Sequence, residues 1–431
     1  MSFYKKLMAI VGSGLWVSVV HAQLVDVRGE LSILLQEHAL IIQTEQSLVS
    51  AKQQLKSADT GWFPTFSLSG EYGYEYLYRD QVDDTRLTTV QAGASISQTL
   101  WDFGKTSATI KKAQKQVSIK EAERTLQSQN LLLTGLEAYI NLKKAYRVAG
   151  FARQSESNIK TQTKLENTRI NKGRGYTTDA LQAKVQFAGA RAKRVSAEQA
   201  LSIAKNRYTS VFNVPAPKDD DMPMLSLPTD LLPSTVDELM DGLVLTNPNI
   251  RRDMIGVEEA RAEKERVQAV QWMPSLRLVA STSHNENQDG ARGDRDSNQI
   301  GVRLDWNINL AGQSHYQVKA AIADEAVRQS QADYTVNTAK ETAKNAWTGL
   351  QLAKERAGYL QDQAKIVEKY LSLARKEREL GRRSLIDVLS GETSLINAQS
   401  DYSAAQADLI IASYNILRSM GKLTLSNLTN L

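Results

Sequence analysis

Side chains that could perform catalysis or bind a metal are few and scattered in this chain. There is no cysteine, which excludes a disulfide, a thiolate zinc site and a thiol nucleophile. No phosphate-binding glycine loop, Gly-x-Ser-x-Gly elbow or His-Glu-x-x-His helix is present. We therefore expect neither an enzyme nor a bound cofactor or metal. The four histidines are too far apart in sequence to suggest a metal cluster: His21, His38, His284 and His315.

Charged residues of both signs are spread along the whole sequence. Lysine and arginine number 53 against 48 aspartate and glutamate, a formal net charge of +5. A nucleic-acid-binding domain instead concentrates basic residues on one face or stripe. We therefore expect no nucleic-acid partner.

The first 22 residues have the pattern of a secretory signal peptide. Lys5 and Lys6 precede an apolar run from Leu7 to Val20, and Ala22 provides a small residue at a cleavage-like site. The alternative is a transmembrane anchor, but about 14 apolar residues are too few to cross a bilayer as a helix. Residues 1–22 are therefore predicted to direct the chain out of the cytoplasm.

The chain contains a tandem duplication. Gly104 and Gly312 each stand between an alternating run and a long helical one, and they are 208 positions apart. Asp179 and Asp387 have the same separation. Five of the eight prolines fall between the halves, where they prevent helix continuation. We predict four segments: the signal peptide (1–22), a first repeat (23–213), a proline-rich linker (214–233) and a second repeat (234–431).

Long segments of both halves have apolar residues spaced alternately three and four apart. This spacing runs from Val336 to Ala374 and resumes from Val388 to Ile416, with alanine the commonest residue. A sustained 3.5-residue period is typical of coiled coils, and alanine allows close helix approach. A helix from about Lys105 to Lys172 would be roughly 100 Å long, which no ordinary globular domain requires.

Four shorter segments alternate apolar and polar residues. They form two predicted hairpins, at about 65–100 and 275–310. Their length suits tilted bilayer-crossing strands, and Trp62, Trp101 and Trp272 occupy strand–helix junctions as membrane-interface aromatics would. The alternative is a soluble two-sided sheet, but no other segment remains to cover its tyrosine-rich face.

Four strands are too few to close a barrel. Open sheet edges are not tolerated in lipid, since their backbone groups would lack hydrogen-bond partners. If these strands lie in a membrane, several chains must share one barrel. The sequence therefore predicts an obligate oligomer.

Specific motifs resemble the outer-membrane factor family typified by TolC. The turn from Leu100 to Lys105 (Leu-Trp-Asp-Phe-Gly-Lys) resembles the family's strand-to-helix turn. Residues 381–389 (Gly-Arg-Arg-Ser-Leu-Ile-Asp-Val-Leu) are similar to its second helical tip, and residues 169–179 are similar to the first tip. The resemblance covers nearly all of the chain after residue 22.

The resemblance implies an α+β membrane protein: a homotrimer whose 12-stranded barrel lies in outer-membrane lipid and continues as a long α-helical tunnel into the periplasm. Such channels receive cargo from an inner-membrane transporter, ABC or proton-driven, through a periplasmic adaptor. They serve small-molecule efflux or type I protein secretion, and the form of the Leu-Trp-Asp-Phe-Gly-Lys turn slightly favours secretion. The competing interpretation is a secreted or periplasmic coiled-coil scaffold without a pore.

The same resemblance assigns roles at the helical tips. Asp387 would form a ring of three carboxylates at the periplasmic constriction, although Ser384-x-x-Asp387 is also the spacing of a helix N-cap. Best-known members carry a second acid where this chain has Ser390. The resemblance also implies that Arg383 ties to Thr178 and Asp179 to hold the gate shut. The tips that would dock the adaptor contain Gly173 and Gly381.

Overall fold

The computed structural model describes residues 25–78, 80, 83–172 and 176–428. The predicted signal peptide and Gly173 lie outside the described residues. The chain is mainly helical, and two of its helices have 67 residues each, which corresponds to about 100 Å. The helices are α1 (Val27–Glu37), α2 (Ala39–Asp59), α3 (Lys105–Asn171), α4 (Thr177–Phe212), α5 (Val236–Thr246), α6 (Pro248–Trp272), α7 (Gln313–Glu379) and α8 (Leu385–Ser419).

Four strands form one antiparallel sheet. They are β1 (Thr65–Leu77), β2 (Thr85–Trp101), β3 (Ser275–Glu286) and β4 (Asp294–Asp305), in the order β1-β2-β3-β4. The element order α1-α2-β1-β2-α3-α4 is repeated as α5-α6-β3-β4-α7-α8. The long helices α3 and α7 start and end at positions 208 apart, so the duplication read from the sequence is also a duplication of structure.

The register of the sheet puts residues of like polarity in rows. Phe66 pairs with Ile96, Ile96 with Ala280, and Ala280 with Ile300, which makes one apolar row across all four strands. The next row contains Ser67, Ser95, Ser281 and Gln299. Because successive side chains point to opposite faces, the sheet has one apolar and one polar face.

One predicted strand is longer than the observed one. The alternating run was expected to continue to about residue 310, but β4 ends at Asp305. Asp305 pairs with Ser275, the first residue of β3, so beyond it the described part of the chain offers no further strand to pair with. Alternation of side chains indicates an extended segment, whereas a strand also requires a neighbour for its backbone hydrogen bonds.

The heptad positions predicted from the sequence are buried between paired helices. In α7 they include Ala343, Leu350, Ala357 and Leu371, which are all buried. Gly391 of α8 lies so close to Leu371 that an added Cβ would be 3.1 Å from its Cδ1 atom. The small residues thus allow the close helix approach expected for an alanine-rich seam.

The main apolar core lies midway along the long helices, where the linker crosses α3. The Tyr139 hydroxyl donates to the carbonyl of Pro223 at 2.7 Å, and the Tyr146 hydroxyl donates to that of Pro217 at 2.7 Å. Residues of α1, α3, α4, α8 and the C-terminal segment fill the same cluster. The linker therefore packs against the middle of the helical assembly.

None of the described helices combines the length and the apolar character needed to cross a membrane.

Candidate functional site

The turn between α7 and α8 is a tight helix termination that requires glycine. Gly381 has φ +75°, in the left-handed region, and its N–H donates to the carbonyl of Arg378 at 3.0 Å. The N–H of Arg382 donates to the carbonyl of Glu377 at 2.9 Å. These two bonds satisfy the last carbonyls of α7 and reverse the chain within a few residues. Leu380, Gly381 and Arg382 are exposed at the tip.

Asp387 lies in the first turn of α8 with its carboxylate exposed. The Ser384 hydroxyl accepts a hydrogen bond from the N–H of Asp387 at 3.2 Å, so the N-cap read from the spacing is present. A carboxylate here is also favoured by the positive end of the helix dipole. A ring of Asp387 carboxylates would be formed by several copies of the chain, so it stays a prediction.

Arg383 is held by residues of α7 within its own chain. Its Nη1 donates to the Tyr370 hydroxyl at 2.7 Å, its guanidinium lies 5.3 Å from the centre of the Tyr370 ring, and its Nε is 2.8 Å from Oε2 of Glu377. Thr178 and Asp179 lie in the first turn of α4 and are not among its intrachain partners in the described part of the chain. Their predicted contact with Arg383 stays a prediction.

Two buried carboxylates near the tips were missed by the sequence reasoning. Glu166 of α3 pairs with Arg378, and Glu392 of α8 pairs with Arg375. A signal for Glu166 existed, because it continues the three-four spacing of buried α3 residues. These buried residues are Ala152, Ser155, Ile159, Thr163 and Glu166. An acid at a core heptad position indicates a buried ion pair.

The strand-to-helix turn after β2 is built around Asp102. Its Oδ2 accepts hydrogen bonds from the N–H of Thr106 at 2.8 Å and from the Thr106 hydroxyl at 2.5 Å. Phe103 and Gly104 adopt positive φ values of 52° and 95°, and Gly312 repeats this conformation at 79° in the second half. The turn directs each long helix away from the end of its strand.

Tryptophans mark the end of the sheet that faces the helices. Trp62 is half-buried just before β1, while Trp101 ends β2 and Trp272 precedes β3, both exposed. Trp306 follows β4 and was missed as a member of this group; its Nε1 donates to the carbonyl of Trp272 at 3.2 Å. A tryptophan therefore lies at the same end of each of the four strands, as expected for a belt of aromatic residues at a membrane interface.

The apolar face of the sheet is exposed within a single chain. Phe66, Leu68 and Tyr72 of β1 are exposed, as are Ile300 and Val302 of β4. An apolar face this large, bordered by tryptophan at one end, is typical of contact with lipid. A four-stranded sheet with one lipid-type face, joined to paired helices about 100 Å long, defines the class of outer-membrane export channels.

Comparison with known proteins identifies the family. The family described as "Outer membrane efflux protein" matches residues 31–213 and 239–422, and the chain belongs to it. The outer membrane efflux protein BepC of Brucella suis is 23% identical over 79% of this chain and 74% of the relative. TolC of Escherichia coli is 22% identical over 87% of this chain and 78% of TolC. The alkaline protease secretion protein AprF of Pseudomonas aeruginosa is 25% identical over 74% of this chain and 66% of AprF.

Solved structures share the fold. The outer-membrane channel OprN superimposes with a TM-score of 0.79 at 17% identity, covering 92% of this chain and 90% of OprN. The outer membrane protein VceC of Vibrio cholerae superimposes with a TM-score of 0.76 at 18% identity, covering 92% of this chain and 96% of VceC. As a member of the outer membrane efflux protein family, the protein is an outer-membrane channel protein that extends into the periplasm and is not an enzyme. Members of the family work in tripartite systems with an adaptor and an inner-membrane transporter.

Proposed function

We propose that this chain is the exit duct of a tripartite export system, a homotrimer that passes cargo from an inner-membrane transporter and a periplasmic adaptor to the outside. In this proposal residues 1–22 direct export. Residues 23–213 and 234–431 each contribute one hairpin to a 12-stranded barrel and one helix pair to the tunnel. The linker at 214–233 lies at the equator.

The observation that carries this proposal is a pair of matching open edges. In the sheet the edges are β1 and β4. Beside the sheet the helices pack in the order α2, α3, α6, α7, and at the tips in the order α4, α3, α8, α7. One side of the chain is thus formed by β1, α2 and α4, and the other by β4 and α7. A ring of copies joins these two sides repeatedly and leaves no open edge.

The free side of α7 carries an apolar stripe. It consists of Leu352, Tyr359, Ile366 and Leu373 and is continued by Leu380, the residue directly after the helix. Each of these residues lies seven positions after the last, and each is between 59% and 73% exposed. The exposed apolar residues of α4 include Leu181, Val185 and Val195. A heptad stripe that is exposed in the described part of the chain fits another helix, here α4 of the next copy. The stripe therefore supports assembly along the part of α7 that is nearest to the tip.

The gate in this proposal lies at the tips of the helix pairs. Asp387 of each copy contributes to a charged ring, and Arg383 reaches Thr178 and Asp179 of the neighbouring copy. The guanidinium is only half-buried and carries its present partners on one side, which leaves it accessible to a neighbour. The adaptor docks on the tip loops that contain Gly173 and Gly381.

For cargo we favour secreted protein over small molecules. The Leu-Trp-Asp-Phe-Gly-Lys turn resembles the secretion members, and AprF, whose name describes protease secretion, is 25% identical to this chain. A gene deletion distinguishes protein secretion from small-molecule efflux. In the deletion strain, the export of a secreted protein substrate and the antibiotic sensitivity are both measured. Loss of secretion with unchanged antibiotic sensitivity supports secretion, and the reverse result supports efflux.

The primary test is the protein mass of the species extracted by detergent from outer-membrane fractions, measured by light scattering with the detergent contribution subtracted. Three chains per particle support the shared barrel. A monomer, or recovery in the soluble periplasm, overturns the channel and favours a coiled-coil scaffold without a pore.

A further inference from the structure

Two arginines lie directly opposite each other on the polar face of the sheet. Arg277 of β3 and Arg303 of β4 are cross-strand partners, and Thr99 of β2 belongs to the same row. Side chains at such positions begin about 5 Å apart, and like charges there destabilise a sheet. Both arginine side chains are exposed. The stability of the sheet therefore does not explain why two arginines occupy this row.

One acidic residue compensates only half of this positive charge. Asp305, the last residue of β4, is half-buried, and its Oδ2 lies 3.3 Å from Nη2 of Arg277. In the described part of the chain, the side chain of Arg303 has neither an ion pair nor a hydrogen bond. Two arginines and one aspartate thus leave one positive charge in each chain, and Arg303 has its donor groups free.

The arginine row lies at the end of the sheet that joins the long helices. Thr99 and Arg303 each stand two residues before the end of their strand, and each strand is followed by a 67-residue helix. In the proposed channel the apolar face contacts lipid, so the polar face lines the interior of the barrel. The arginines therefore lie where the helical tunnel opens into the barrel.

The rest of the polar face has a different charge. Three uncharged rows follow the arginine row: Thr65, Ser97, Val279 and Gly301; Ser67, Ser95, Ser281 and Gln299; and Ser69, Gly93, Ser283 and Ser297. The next charged row contains Glu71 and Arg295, and Glu75 lies further along β1. It is about 27 Å from the arginine row at 3.4 Å per residue. The polar face is thus basic at the helix end and acidic at the far end.

The chemistry of the arginine row suits carboxylates. A guanidinium donates two parallel hydrogen bonds to one carboxylate, which makes arginine a strong partner for this group. In a trimer the arginine pair occurs three times around the lumen. A polypeptide with several carboxylates can contact more than one pair at once, whereas a small anion contacts one pair at a time. The arrangement therefore favours an acidic polypeptide over a small anion.

We propose that Arg277 and Arg303 of the three copies form an arginine ring that binds the carboxylates of an acidic polypeptide as it passes from the tunnel into the barrel. Arg303 provides a free guanidinium, while Arg277 is shared with Asp305. Conduction requires that a bound segment can also leave, and the uncharged rows and the acidic far end favour its release to the outside. The inference rests on the proposed channel function and defines the chemistry of the cargo.

The first test measures how poly-L-glutamate blocks the full-length channel in a planar lipid bilayer. The polymer is added on the barrel side, from which it reaches the arginine ring without crossing the predicted gate. We expect Arg303→Gln to raise the dissociation constant of block about tenfold, since a charged hydrogen bond is lost. Arg303→Lys keeps the charge without the planar guanidinium and should have an intermediate effect.

The matched control is Arg292→Gln, which removes the same charge from the exposed loop between β3 and β4. Block in this variant should equal that in the unaltered channel. If Arg303→Gln is also blocked as strongly as the unaltered channel, the arginine ring does not bind carboxylates and the proposal is overturned.

The second test changes the charge of the row without removing an arginine. Thr99→Glu places a carboxylate opposite Arg277 and should weaken the block, whereas Asp305→Asn frees Arg277 and should strengthen it several-fold. Because the two variants should act in opposite directions, a general loss of stability cannot produce both results. Unchanged block in both variants overturns the proposal.

Two further measurements distinguish other roles for Arg303. If Arg303→Gln shifts the reversal potential in a KCl gradient towards cation selectivity but leaves the block unchanged, the ring acts on small ions and not on a polypeptide. If Arg303→Gln lowers the thermal stability of the trimer and leaves the block unchanged, Arg303 pairs with the next copy. Either result overturns the proposal while the channel function stands. If the unaltered chain forms no conducting trimer, the channel function fails and the arginine ring fails with it.

Discussion

Arg383 and Tyr370 are joined by a 2.7 Å hydrogen bond from Nη1 to the phenol oxygen, and the guanidinium also lies 5.3 Å from the centre of the phenol ring. Tyr370 belongs to α7 and Arg383 to the turn that follows it. This contact sets the direction of the guanidinium before any second copy is present. The side chain of the proposed gate residue is thus oriented by its own chain.

Arg383→Ser is expected to raise single-channel conductance and the antibiotic sensitivity of cells that depend on this channel. One exposed ion pair contributes about 0–1 kcal/mol, but three symmetric copies at a narrow entrance act together. Planar-bilayer recording and a plate sensitivity assay measure the two effects.

The control for that experiment is Arg382→Ser, which removes the same charge from the exposed neighbour. Tyr370→Phe keeps the ring and removes only the intrachain hydrogen bond. If contact between copies closes the gate, Tyr370→Phe changes conductance much less than Arg383→Ser. Unchanged conductance and sensitivity in Arg383→Ser would contradict the assignment.

Leu373→Glu is expected to weaken the trimer. Leu373 belongs to the exposed stripe of α7, and burying a leucine there contributes about 1.5–3 kcal/mol per copy. Light scattering in detergent, as a function of protein concentration, should show dissociation. Ser372→Glu, next in sequence and outside the stripe, should remain trimeric; equal behaviour of the two variants argues against this interface.

Leu68→Arg is expected to impair membrane insertion. Leu68 is exposed on the apolar face of β1, and an arginine on the lipid side of a barrel costs about 2–4 kcal/mol near the bilayer centre. Urea unfolding in phospholipid vesicles measures this cost. Ser67→Arg adds the same side chain to the opposite face and should be tolerated. If both variants insert equally well, the apolar face does not contact lipid.

The stability of the apolar core midway along the long helices is expected to depend on pH through Glu30, which contacts Tyr208 of that core. Burial raises the pKa of Glu30 above its ordinary value of 4.5, the hydrogen bond from Tyr208 opposes the shift, and Asp26 adds to it. The folded state thus favours the protonated carboxyl. This stabilisation is complete below about pH 4.5 and is lost as the pH rises through the raised pKa.

Thermal unfolding of the detergent-solubilised protein across this pH range measures the effect. Glu30→Gln should flatten the decline in stability with rising pH. Tyr208→Phe removes the interaction that lowers the pKa of Glu30, so the decline should extend to higher pH. If Glu30→Gln leaves the pH profile unchanged, another group is responsible.

Periodicity predicted most of the fold in this chain. The 3.5-residue spacing from Val336 to Ala374 identified the buried face of α7, and alternation around Phe66 identified the two faces of the sheet. Repetition of Gly104 at Gly312 predicted two equivalent turns, and both have positive φ. Such patterns are local, because the geometry of a helix or strand determines which side chains share a face.

The sequence by itself determined the elements, their repetition, their buried faces and the resemblance of the tips to a channel family. The tertiary structure decided which partners those faces and charges have. The link from Glu166 to Arg378 spans 212 positions in the sequence, and the end of β4 at Asp305 depends on where β3 begins. Periodicity indicates that one face of a helix or strand is buried. Which element covers that face, and which group a long charged side chain contacts, depend on how the whole chain packs.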